Sequence, residues 1–520
     1  MLWSWLFPTE SWRVLLIVLM LGAPIDSDLP EEITKSVKKL KLDDLCLQLQ
    51  SFAHARLVNG CIETENEILL PYPLEEIQML FVRKCYEDVF QLFLGQIERG
   101  TKSFAISGTP GIGKSLFFVY ILFQILNNLK NQSGWKPKRI VYHTEAGFEC
   151  FDLENSTVSD LPIGTSEAAT FVRRPETFYV VDGRHASPLL SSCVCLFLSS
   201  PRAEHFKGYV KQRKATVWYF PIWTYEELET CRQFCYADFP KGVLLERYRI
   251  YGGVARFMFA DYKTGQEYVR KDSNDMETAL FDVTAAKGVR TIGNPTKMFD
   301  TTHTLLHLIV GNNDQGFPYQ YLFVDIASKY VGEQLWDRHY SQMIINLQEM
   351  FGGSPNEISR HLFEIYGHRV FSKGGRTLKC RDLQDESSFD FVLDRLDGQL
   401  ISFGKSSLPQ APITSYHEAS DDDSFPAIDS LSGQGMFQFT VAQDHSIRGV
   451  QILKRLCSLY SDAKIYFVVP PHRFEKFKKQ KFLGKQGNSN SESIPDLKQY
   501  VLELHVGSPP NTQIPSFPCL

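Results

Sequence analysis

Eight consecutive residues, Gly108-Thr109-Pro110-Gly111-Ile112-Gly113-Lys114-Ser115, match G-x-x-x-x-G-K-[ST] and carry the densest chemical signal in the chain. Glycines let such a loop curl until backbone N–H groups converge on phosphate oxygens. Lys114 adds a compact positive charge for the β- and γ-phosphates, and the Ser115 hydroxyl is a ligand for Mg²⁺. Gly108, Gly111, Ile112, Gly113, Lys114 and Ser115 are therefore the expected contacts to ATP. A second acid belongs opposite them. The apolar run Phe178-Tyr179-Val180-Val181 ends in Asp182, placed to hold Mg²⁺ through water across from Ser115.

Hydrolysis also needs a group that orients the attacking water. Many related ATPases carry Glu directly after the Asp of this strand, whereas this chain has Gly183. Glu145 and Glu149, near the preceding strand, are the substitutes on offer. Ser199 and Ser200 end the next strand, as a γ-phosphate sensor or as a plain strand-end turn. Arg256, after Gly252-Gly253-Val254-Ala255, either reaches the phosphates from a helical lid or is an ordinary helical arginine.

The elements that must hold these groups alternate. Phe104–Ser107, Arg139–His143, Phe178–Asp182, Cys193–Ser199 and Thr216–Phe220 read as strands; Leu116–Leu126 and Tyr225–Phe234 read as helices. Continuous apolar strands interleaved with helices predict a parallel sheet covered on both faces. Leu29–Leu57 and Pro71–Glu98 read as helices leading in, and Leu244–Met350 as mostly helical. Beyond Pro355 a helix over 357–366 precedes strands near Thr377 and Leu400. Lys405–Phe425 reads as a loop whose Asp421-Asp422-Asp423 run is a solvated surface. Strands at Met436–Val441, Lys464–Val469 and Tyr500–Val506 follow, with a helix over Ile447–Leu459.

A length of 520 residues predicts roughly two to four domains, and 43% hydrophobic residues suffice for packed cores. With 60 acidic against 55 basic residues, the net charge of −5 excludes a strongly basic nucleic-acid coat while leaving room for a local basic face. The 11 cysteines are odd in number and lack recurring C-x-x-C pairs. That argues against zinc and disulfide frameworks and for reduced thiols in a cytosol- or nucleus-like environment. Val14–Ala23 is apolar but too short to span a bilayer. It is either the core of a secretory signal or an apolar N-terminal helix, and no other run approaches membrane-spanning length.

The ordered segments GTPGIGKSLFFVYILF, YVVDG, LFLSSP, YFPIWTYEELE and YGGVAR resemble the ATPase domain of the Crinkler effectors of oomycetes and fungi, to which trypanosome retrotransposon hot spot proteins are related. SFPAIDSL, MFQFTVAQDHSIRGVQIL and IYFVVPPHRFEKFK continue the resemblance, which covers roughly residues 75 to 505. It implies an α/β P-loop NTPase with a parallel sheet and helical lid, followed by a smaller α+β restriction-endonuclease-like domain. The expected division is 1–27 as signal or apolar helix, 28–100 as helical lead-in, 101–240 as NTPase core, 241–350 as lid, and 351–520 as the nuclease-like domain. The resemblance also implies secretion and action in a host cell, in the nucleus, on DNA or host nuclear proteins. The ubiquitin-like header with an LFLAK-type motif, usual in oomycete members, is not found.

Nucleases of that class hold a divalent metal with an acid and with an acid or Gln on the next strand, which also supplies a Lys. Here Asp429 precedes a strand carrying Gln438 and Thr440, so the pattern is D…Q-x-T and the usual Lys is missing. Asp429 is the expected metal ligand of this site, as Ser115 and Asp182 are of the other. Glu364 is an additional ligand candidate, Lys454 a spatial replacement for the lost Lys, and His445 an acid/base or phosphate-binding group. The segment HRFEKFKKQKFLGK (472–485) either neutralises DNA phosphates or is an exposed amphipathic helix with its Phe residues inward. Function is left among three readings: an ATP-regulated, DNA-acting effector; an ATP-binding scaffold with a dead nuclease fold; and a small-molecule kinase.

Overall fold

The structure, a computed structural model, describes residues 31–74, 76–128, 134–161, 166–183, 186–200, 204–259, 280, 304–311, 318–352, 360–396, 400–404, 407–409, 413–419, 428–483, 494 and 496–507. The chain divides into two compact units, Met1–Phe239 with Asn312–Tyr321, and Pro240–Gly311 with Leu322–Leu520.

In the first unit, β1 (Arg56–Val58), β2 (Cys61–Glu63) and β3 (Met79–Phe81) form a small antiparallel sheet. The main sheet contains β4 (Ser103–Ser107), β5 (Arg139–Thr144), β6 (Gly147–Asp152), β7 (Thr157–Leu161), β8 (Thr177–Asp182), β9 (Val194–Leu198) and β10 (Thr216–Tyr219). Its order is β10-β4-β9-β8-β5-β6-β7. The first five strands run parallel, and β6 and β7 extend the sheet antiparallel. Every residue of β8 and β9 is buried, as apolar strands covered on both faces require. The helix Phe117–Phe123 behind the loop is buried at all seven positions, matching its uniformly apolar sequence.

Two expectations need correction here. The helix expected over Pro71–Glu98 runs only from Lys84 to Glu98. Pro71 and Pro73 cannot donate to a helical ladder, and Met79–Phe81 pairs with β2 instead. The β6–β7 hairpin has no counterpart among the expected strands. Its turn is built by the Asp152 carboxylate, which accepts the N–H groups of Glu154 and Asn155 at 3.0 Å each, a local Asx turn.

In the second unit, a two-stranded pair, β11 (Leu306–Gly311) and β12 (Tyr321–Ile326), interrupts the expected helical run. The larger sheet is built from β13 (Thr377–Asp382), β14 (Ser388–Val392), β15 (Leu400–Phe403), β16 (Tyr416–Ala419), β17 (Ser430–Ser432), β18 (Gly435–Phe439), β19 (Lys464–Val469) and β20 (Lys498–Glu503). Its order is β14-β13-β20-β19-β18-β17-β16-β15, with parallel and antiparallel neighbours mixed. β16 falls inside the stretch expected to be a loop, because it pairs with β15 and β17 on either side. Asp421-Asp422-Asp423 lies outside the described residues. The helix Arg360–Lys373 covers one face through Phe371, whose ring centroid is 4.9 Å from Phe437 and 5.2 Å from Phe439. Leu453, Leu456, Phe474 and Phe477 cover the other, with Met436 and Leu431. No helix among the described residues is long and apolar enough to cross a membrane.

Candidate functional site

The loop 108–115 leaves the C-terminal end of β4, the edge where ligands meet open parallel sheets. Three glycines hold positive φ: Gly108 at 146°, Gly111 at 81° and Gly113 at 97°. The Lys114 ammonium lies back across the loop and donates to the carbonyls of Gly108 at 3.1 Å and Thr109 at 2.8 Å. Ile112 is fully buried, and its carbonyl accepts from Trp223 Nε1 at 2.9 Å and Arg83 Nη1 at 3.3 Å. The Gly113 carbonyl accepts from the Tyr86 hydroxyl at 2.5 Å. Arg83 is itself buried, lies 4.4 Å from the Trp223 ring centroid, and pairs with Glu227 at 3.1 Å.

Asp182 ends β8, two strands from β4, yet it meets Ser115: the hydroxyl donates to Oδ1 at 3.0 Å. Tyr142, on β5, donates to Oδ2 at 2.6 Å. Burial pushes the Asp182 carboxyl up, against these two hydrogen bonds and the Lys114 charge. Burial also drives the Tyr142 hydroxyl far up, so it stays a donor. A serine hydroxyl facing a carboxylate is an all-oxygen donor set that fits Mg²⁺. Ser199 spends its hydroxyl on the Gly183 carbonyl at 2.9 Å. Arg256 is exposed on the short helix Ala255–Met258 of the second unit. Sequence reasoning missed Arg83, Tyr86, Tyr142 and Trp223, each of which reaches the loop or its acid from far away in sequence.

In the second unit, Asp429 precedes β17 and faces Gln438 of β18. Asp429 Oδ2 accepts from Gln438 Nε2 and from the Phe439 N–H, both at 2.6 Å. Burial, reinforced by the charge of Glu364, pushes Asp429 up to about 7. Glu364 is drawn down to about 2: burial opposes this, but His368, His361 and Arg360 outweigh it. Burial, with the charges of Arg360 and Arg448, holds His445 down at about 4. Glu364, His445 and Asp429 thus share one electrostatic neighbourhood. Lys454 is exposed on the helix Val450–Cys457.

Beside them lies an unexpected network. His368 sits 3.8 Å from Glu364 and 3.4 Å from the buried Glu418, and its other ring nitrogen is 2.7 Å from the Tyr416 hydroxyl. Lys329 pairs with Glu418. The i,i+4 spacing of Arg360, Glu364 and His368 is the one sequence signal that points to it. No group of three or more His, Cys, Asp or Glu among the described residues is arranged to hold a metal. In the basic segment, Phe474 and Phe477 are buried while Lys476, Lys478, Lys479 and Lys481 face solvent.

No protein-family model matches the chain. Two curated proteins of Phytophthora infestans are similar to it. Crinkler effector protein 15 is 24% identical over 437 residues, covering 78% of this chain and 66% of that protein. Crinkler effector protein 16 is 23% identical over 437 residues, covering 78% and 65%. The chain spans just under two thirds of the length of these relatives. These similarities support placing it with Crinkler-like proteins.

Proposed function

We infer that the chain is a Crinkler-like effector acting in a host cell, whose first unit is a P-loop NTPase that binds ATP with Mg²⁺. The single observation that carries this is the 3.0 Å approach of Ser115 to Asp182 at the mouth of the glycine loop, across 67 residues of sequence. Lys114 and the loop N–H groups hold the phosphates, and Ser115 and Asp182 hold the metal, which neutralises phosphate charge when bound. Titration of native protein and Lys114→Ala with Mg²⁺–ATP tests it. The expected result is at least a tenfold weakening for the variant; equal affinity rejects the reading.

The second unit is read as a restriction-nuclease-like module that binds DNA through Lys476, Lys478, Lys479 and Lys481. Each lysine-to-alanine substitution removes one cation from the phosphate backbone and is expected to flatten the salt dependence of binding by about 0.9 in log–log slope. No DNA binding at low salt with Mg²⁺ rejects it. A docking module without cleavage is the second reading, favoured because Gln438 spends its amide on Asp429. Mg²⁺-dependent nicking by native protein and Asp429→Ala separates them: equal activity removes the nuclease.

A further inference from the structure

The P-loop reading leaves one role unfilled, the group that orients the attacking water. Gly183, directly after Asp182, holds φ at +137°, a backbone state that a side-chain-bearing acid adopts only under strain. Its carbonyl is braced by Ser199. The neighbouring strand fills the ground above it. β5 runs parallel to β8 with His143 opposite Val181, so both strands end at the edge where the loop opens. β5 then reverses into β6 through Glu145 and Ala146, with Thr144 facing Gly147 across the hairpin. The Thr144 hydroxyl accepts the Ala146 N–H at 3.2 Å and fixes the turn.

Glu145, exposed in that turn, lies against Gly183: a Cβ built on the glycine would stand 3.4 Å from both its Cγ and its Oε1. Its carboxylate therefore occupies the space an acid following Asp182 would enter. Glu149 differs. On β6 it lies opposite Tyr142 of β5, and its charge acts on the Tyr142 hydroxyl behind Asp182.

Resting on the ATP-binding reading, we propose that Glu145 is the catalytic base of nucleotide hydrolysis, supplied by the β5–β6 turn in place of an acid at position 183. Glu145 takes a proton from the water as the water oxygen bonds to the terminal phosphorus. The bond from that phosphorus to the bridging oxygen breaks, its electron pair stays with the departing diphosphate, and Glu145 passes the proton to the released phosphate. Water and ATP thus give ADP and phosphate.

The test measures Mg²⁺–ATP affinity, turnover and the identity of the bound nucleotide for native protein, Glu145→Gln and Glu149→Gln. Glu145→Gln is expected to bind ATP within threefold of native, to slow turnover about a hundredfold or more, and to retain its nucleotide as ATP. Glu149→Gln is expected to convert ATP to ADP. Native turnover by Glu145→Gln, selective loss in Glu149→Gln, or a native protein that binds ATP without hydrolysing it each overturns the assignment. If native protein binds no ATP, the P-loop reading itself fails and the assignment falls with it.

Discussion

Gly113→Ala puts the geometry of the glycine loop under direct strain. Gly113 stands at φ +97°, and holding an alanine in the left-handed region costs about 1–2 kcal/mol. The new Cβ would lie 2.6 Å from the Tyr86 hydroxyl oxygen, far inside van der Waals distance. Tyr86 has no room to retreat, being fully buried with ring centroids of Phe117, Tyr120 and Phe220 within 5.9 Å. Pushing it aside also breaks its bond to the Gly113 carbonyl, a loss of about 0.5–1.5 kcal/mol. The sum is about 1.5–3.5 kcal/mol against the curled loop, or about 10- to 300-fold in affinity at 1.4 kcal/mol per decade. Calorimetric titration with Mg²⁺ and a non-hydrolysable ATP analogue reads it, with circular dichroism to check that the fold persists. Adding Tyr86→Ala to Gly113→Ala relieves the clash but restores neither a relaxed φ nor the hydrogen bond to the Gly113 carbonyl, so most of the lost affinity should stay lost. Binding by Gly113→Ala within threefold of native protein would refute the reasoning.

Arg83→Met strips four partners at once, the carbonyls of Ile112, Pro221 and Ile222 and the Glu227 carboxylate. The Ile112 carbonyl keeps Trp223 and the Glu227 carboxylate keeps the Thr224 N–H, so the Pro221 and Ile222 carbonyls that lose this donor set a loss of about 1–3 kcal/mol in the first unit; a denaturation midpoint within error of native would contradict this. Asp429→Asn tests the buried acid. Raised to about 7, the folded group keeps a proton that the unfolded chain gives up near an ordinary carboxylate pKa. Its contribution to stability is thus full below about pH 4 and is lost as pH climbs to 7. The variant should raise the melting temperature at pH 8 more than at pH 4.5, and an equal gain at both would sink the account. Gly367→Ala would set a Cβ 2.3 Å from Phe439 Cε1, an overpacking cost of about 1–3 kcal/mol. Phe439→Leu in that background should recover part of the urea midpoint; no recovery would mean the strain lies elsewhere.

Residue types and local spacing determined a good deal. The strands β4, β8, β9 and β10 are legible because their interiors are apolar, and such runs have stable homes mainly in sheets covered on both faces. The loop is legible because its glycines, lysine and serine are contiguous, so their chemistry needs no folding to be recognised. Asp182 is legible as a strand ending in an acid. The short pairings β1–β3, β6–β7, β11–β12 and β16–β17 are not legible, because each depends on partners that the sequence alone does not name. Only the tertiary structure brings Tyr142 to Asp182, Arg83 and Trp223 to the Ile112 carbonyl, and His368 and Lys329 to Glu418. The physical reason is separation: a motif repeats along the chain at fixed offsets, but a hydrogen bond across 111 residues, as from Trp223 to Ile112, exists only after strand order and register are set. Composition therefore says that an acid follows a buried strand, and packing decides which side chains surround it.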